Sequence, residues 1–156
     1  MKKLTFVRVS GIVTILAALT SMVNFFLTDP PVYMYGIALI GVLIGYIGIY
    51  QFQKDKAMAL SLISIAVLLV TFYLYGSGRD DLGDIVYPWS FLVLGIAAYQ
   101  AAKFPRWASI AMILGIVLSL LETNVSAIPG VVDSIGGWVV RLALLVFGYY
   151  LWNDAA

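Results

Sequence analysis

The stretch "GWVVRLALLVF" sets Arg141 inside an otherwise apolar run. If a helix begins near Ile135, Arg141 lies on the order of 9 Å below its start at 1.5 Å per residue. An unpaired guanidinium at that depth in hydrocarbon is costly, so it must snorkel, find a counter-charge or bind a ligand. Glu122 and Asp133, both toward the same end of the chain's last two apolar segments, are the candidate counter-charges. Two roles stay open. The pair can pin two helices together, or Arg141 can serve a substrate anion or a coupled proton. Gly137, Gly148 and Trp152 share its face at 100° per residue, and such a face suits protein packing better than lipid.

Other chemistry is sparse. The chain has no cysteine and no histidine, which removes disulfides, the common zinc sites and haem or iron–sulfur ligation through those residues. "GSGRDDLGD" gathers Asp80, Asp81 and Asp84, but it lacks the alternating ligand spacing and closing glutamate of a calcium loop and reads as a solvated acidic turn. Nucleophile elbows, phosphate-binding loops and zinc-protease helices are missing from the sequence, as are basic patches for nucleic acid. The expectation is no enzyme, no assigned cofactor, no metal and no nucleic-acid partner.

The elements that carry these residues follow from composition. With 63% hydrophobic and 11% charged residues, the chain departs far from a soluble domain, in which roughly a quarter of residues are charged. Lipid must be its main solvent. Six apolar segments, about 4–27, 32–52, 57–75, 85–102, 105–121 and 135–152, are each close to the ~20 residues that span a bilayer. The sequence predicts a single all-α transmembrane domain over 1–156, with six helices in three hairpins. Lys2, Lys3, Arg8, Lys54, Lys56, Lys103 and Arg106 would fall on one side, and Asp29, Asp80, Asp81, Asp84, Glu122 and Asp133 on the other, with only Arg79 and Arg141 near them. The positive-inside rule then puts both termini in the cytoplasm, in a cytoplasmic (inner) membrane. The first apolar run exceeds a signal h-region, so it reads as an uncleaved anchor.

Tyr50-Gln51-x-x-Lys54 nearly recurs at Tyr99-Gln100-x-x-Lys103. Each match would close an inward-running helix, with tyrosine at headgroup level and lysine beyond it, consistent with a hairpin repeat. Gly41, Gly45 and Gly48 line one face of the second helix, and Ala111, Gly115 and Ser119 do so on the fifth. Small residues at this spacing allow close helix packing, within one bundle or against another subunit. The architecture resembles many small prokaryotic membrane proteins, a likeness that implies no particular activity. The expected function is a non-catalytic accessory or scaffold subunit of a larger membrane complex, surrounded by membrane lipids, contacting other subunits or its own copies, and able to bind lipid or an apolar cofactor. A small transporter or channel with a site near Arg141 and Glu122 is the alternative.

Overall fold

The computed structural model describes residues 5–27, 31–124 and 131–154, and within them every side chain except those of Val32, Glu122, Thr123, Asn124, Val131, Asp133 and Asp154. These residues form α1 (Phe6–Phe26), α2 (Val32–Gly76), α3 (Asp80–Ala101), α4 (Arg106–Asn124) and α5 (Val131–Asp154), with no strand among them. Among the described residues, four helical spans are long and apolar enough to cross a membrane: Phe6–Phe26, Tyr33–Gly76, Asp80–Ala101 and Ser134–Asn153. Arg106–Leu121 is apolar but shorter.

The difference from six segments lies mostly in α2. Its 45 residues would extend about 67 Å if straight, more than twice the hydrocarbon thickness. It is not straight. Ala57 leaves helical geometry at φ −138° and ψ 38°, and the packing on either side runs in opposite directions. Before the break, Tyr46 meets Ser90 and Phe52 meets Phe104, so this part runs parallel to α3. After it, Ala57 clusters with Ala97 and Ala101, and Tyr75 meets Asp84, so the second part runs antiparallel to α3. The chain therefore doubles back at Ala57 with no loop. Gln53, fully buried, donates from Nε2 to Ser61 Oγ at 2.8 Å, and Ser61 donates in turn to the Ala57 carbonyl at 2.7 Å. Residues eight apart are about 12 Å apart along a straight helix, so the Gln53–Ser61 bond exists only because the chain reverses.

Local chemistry sets the other boundaries. Thr5 caps α1, its hydroxyl accepting from the Arg8 amide. Gly78, at φ +73°, makes the turn into α3, a conformation glycine adopts at no steric cost. The acidic stretch is not all loop: Asp80 and Asp81 form the first turn of α3, where carboxylates complement the helix dipole. Pro88 thus sits inside α3. Ala102, in the left-handed region at φ 53°, ends the helix, and α4 begins at Arg106.

The helices close into a ring: α1 packs on α2 and α5, α2 on α3, α3 on α4, and α4 on α5. Its two ends differ in charge. Arg8, Lys54, Asp55, Lys56, Lys103 and Arg106 lie at one end, where Lys103 reaches Asp55 at 3.2 Å. At the other lie Arg79, Asp80, Asp81 and Asp84. The basic end is filled by rings: Phe104 stacks on Phe147 at 4.4 Å, with Phe52 and Tyr150 against Phe104.

Candidate functional site

The site begins with small side chains. Along α1, Ser10, Thr14, Ala17, Ala18 and Ser21 recur at helical spacing. Ser10 donates to the Val7 carbonyl and Thr14 to the Ser10 carbonyl, each at 2.7 Å, so their hydroxyls are satisfied within their own helix. Three glycines of α2 meet this stripe. A Cβ at Gly41 would lie 2.6 Å from that of Ala17, one at Gly45 would lie 2.5 Å from Thr14 Oγ1, and one at Gly48 would collide with Ser10. On its other side α1 crosses α5, where a Cβ at Gly11 would stand 2.6 Å from the Gly148 carbonyl oxygen. Gly115 of α4 meets Gly136 and Val140 of α5, Ser119 lies against Gly136, and Ala111 is half-buried.

Toward the acidic end the helices leave space. An outer cavity of about 780 Å³ is bordered by Ser21, Asn24, Tyr35, Tyr75, Asp80, Asp84 and Arg141, among others. A chamber of about 200 Å³ adjoins it, walled by Ala17, Ala18, Val42, Phe91, Val140 and Leu144. Ser21, Ala38, Tyr87 and Arg141 border both. One space thus grades from a polar mouth with two carboxylates, past one guanidinium, into an apolar pocket. Below Leu144 the Phe104–Phe147 stack fills the interior.

Arg141 is half-buried and held from α1. Its Nε donates to Ser21 Oγ at 2.9 Å, and its guanidinium lies 5.7 Å from the centre of the Phe25 ring. Phe25 and Phe26 both pack on Trp138, closing an aromatic cluster beside it. The side chains of Glu122 and Asp133, the expected counter-charges, lie outside the described residues. Across the cavity, Tyr75 donates to Asp84 Oδ1 at 2.8 Å, and Gly83 makes room for the Tyr75 ring, whose Cε1 would be 2.5 Å from a Cβ there. Tyr87 packs edge-on against Phe91, which meets Tyr46 in the same way. Ser90 gives its proton to the Tyr87 carbonyl, so the buried Tyr46 hydroxyl donates to Ser90.

Neither the roles of Ser21 and Tyr87 nor the cavity follows from the sequence alone. The α1 stripe carried the signal for Ser21: small residues at three- and four-residue spacing mark a packed face as surely on α1 as on α2. Arg8 is also 5% exposed, a burial that its place near the chain's start does not suggest. Among the described residues no three His, Cys, Asp or Glu side chains converge to hold a metal. Comparison with protein-family models, with curated proteins and with solved structures gives no match. The arrangement offers hydrogen-bonding groups, two carboxylates, one guanidinium and apolar walls.

Proposed function

We propose that this is a multi-pass membrane protein whose role is to hold a small amphipathic molecule, without chemical conversion, in the cavity enclosed by its five helices. Arg141 carries the reading, because one tethered guanidinium borders both the polar mouth and the apolar chamber. Pockets that pair apolar walls with a few placed polar groups suit small molecules.

The membrane part rests on surface chemistry. Leu16, Leu19, Ile40, Leu62, Leu69, Leu114 and Leu142 are exposed, an apolar girdle that water would not tolerate at this extent. Exposed Tyr33, Tyr35 and Tyr73 gather at the acidic end, and Tyr99, Trp107, Tyr149 and Trp152 at the basic end, with Trp89 between. Such paired belts suit the two headgroup layers. Counting α2 as two crossings and α4 as a short one gives six in three hairpins. The basic end then faces the cytoplasm with both termini, and the cavity opens to the opposite side of the inner membrane. The girdle is available to lipid and to other subunits, so an accessory place in a larger assembly goes with this role. A carrier role would appear as ligand accumulation in vesicles.

The natural chain lacks cysteine, which makes the test direct. In sealed, oriented vesicles, Ala38→Cys should react with a membrane-impermeant maleimide from the same side as Asp81→Cys, and Lys54→Cys only from the other. An Ala38→Cys chain that stays unlabelled while Asp81→Cys reacts would overturn the open cavity.

A further inference from the structure

We infer that the cavity takes a small zwitterion of the α-amino-acid type bearing an apolar side chain, with its carboxylate on Arg141, its ammonium toward Asp84 and its side chain in the chamber. The inference rests on the binding role proposed above and adds the chemistry of the ligand.

The order of charges along the cavity is the main argument. Asp80 and Asp84 border only the mouth, Arg141 borders mouth and chamber, and the chamber beyond has only apolar side chains apart from Ser21, Ser119 and Tyr87. A carboxylate approaching alone would meet two aspartates first, and the described lining sums to one positive and two negative charges. An amine without an acid group would be drawn to the mouth and repelled by Arg141. A molecule carrying both charges meets complementary charge at each level. Charge-assisted pairing of guanidinium with carboxylate gives the inner contact its strength and geometry. Tyr35, Tyr75 and Tyr87 border the mouth as well, and aromatic faces attract an ammonium group.

Size sets the side chain. A dry cavity of about 150 Å³ accepts benzene, so the chamber of about 200 Å³ suits a single ring or a branched aliphatic group. Two long acyl chains would not fit it, which sets the ligand apart from a membrane phospholipid.

The test uses the full chain in detergent micelles, with calorimetric titration of phenylalanine, leucine, glycine, 3-phenylpropanoate and 2-phenylethylamine. Phenylalanine and leucine should bind. Glycine and the two one-charge analogues should each be weaker by about tenfold or more, the scale of one lost buried charge contact or ring. Asp84→Asn, which keeps an acceptor for Tyr75, should weaken phenylalanine but strengthen 3-phenylpropanoate, for which a repelling charge is removed. Arg141→Gln should weaken phenylalanine but strengthen 2-phenylethylamine, which it no longer repels; if that variant does not fold, Ser21→Ala removes the tether and should weaken phenylalanine in the same direction. Equal affinity for phenylalanine and 3-phenylpropanoate would overturn the zwitterion, and equal affinity for glycine would overturn use of the chamber. If Ala38→Cys labels from the Asp81 side yet neither phenylalanine nor leucine slows that labelling, the ligand class falls while the cavity stands. If it does not label, both fall.

Discussion

Gly45 leaves Thr14 no room to yield: a Cβ there would sit 2.5 Å from Oγ1 and 3.4 Å from both carbons beyond it. Thr14 is itself buried and hydrogen-bonded to Ser10. Gly45→Leu should therefore lower the thermal midpoint in detergent by the equivalent of at least about 1–3 kcal/mol, the usual cost of overpacking. Gly36, on the same helix, has nothing within 4 Å of an added Cβ, so Gly36→Leu should stay within about 0.5 kcal/mol of the natural chain. Equal midpoints for the two variants would mean that α1 and α2 do not meet so closely. At this scale the sequence was informative about oddities and silent about partners. A lone arginine among apolar residues is conspicuous, and so is a glycine every three or four positions. Ser21, 120 residues from Arg141, is one ordinary serine among several, and only the ring of helices brings the two together.

Helix ends were largely legible because polar and Gly/Pro punctuation is strong in an apolar chain. Two of the discrepancies have clear physical causes. "QKDK" looks like a linker, yet burial of Gln53 and its bond to Ser61 let helical structure run up to the single break at Ala57. "RDDLGD" looks like a loop because it is acidic, but aspartates are favoured in a helix's first turn, and α3 starts there. The doubling-back of α2 is open to measurement. Ile40 and Tyr73 are both exposed, and along one straight helix spin labels on them would be about 50 Å apart. Pulsed electron resonance on labels at these two positions should give well under half that distance. A distance near the straight-helix value would show that α2 does not reverse.

Across the whole molecule, the segregation of Lys54, Lys56, Lys103 and Arg106 from Asp80, Asp81 and Asp84 is the feature that would orient it in a bilayer. Replacing those four basic residues by glutamine should give a mixed population, with Asp81→Cys labelled from either face of the vesicle. A single retained orientation would show that the bias comes from elsewhere in the chain. The charge split was readable from the sequence, since it depends only on which turns carry lysine. The cavity was not. Helices that are apolar on nearly every side give no periodic stripe to say which faces meet, and the shape between them depends on that choice. Only small residues mark the contacts, and they mark where space closes rather than where it remains.

The contact between Gly11 and Gly148 joins the first helix to the fifth, and this has a consequence for how the protein is made. The two glycines are 137 residues apart. At ribosomal rates of roughly 5–20 residues per second, α1 waits on the order of ten seconds for its neighbour to be synthesised. During that interval its small-residue face has α2 on one flank and nothing of its own chain on the other. Two nascent chains side by side could each lend α5 to the other's α1, an exchange that preserves every helix contact while tying two copies together. Fidelity of assembly in this protein is thus a race between finishing one chain and meeting a second, and crowded synthesis should favour the exchanged pair.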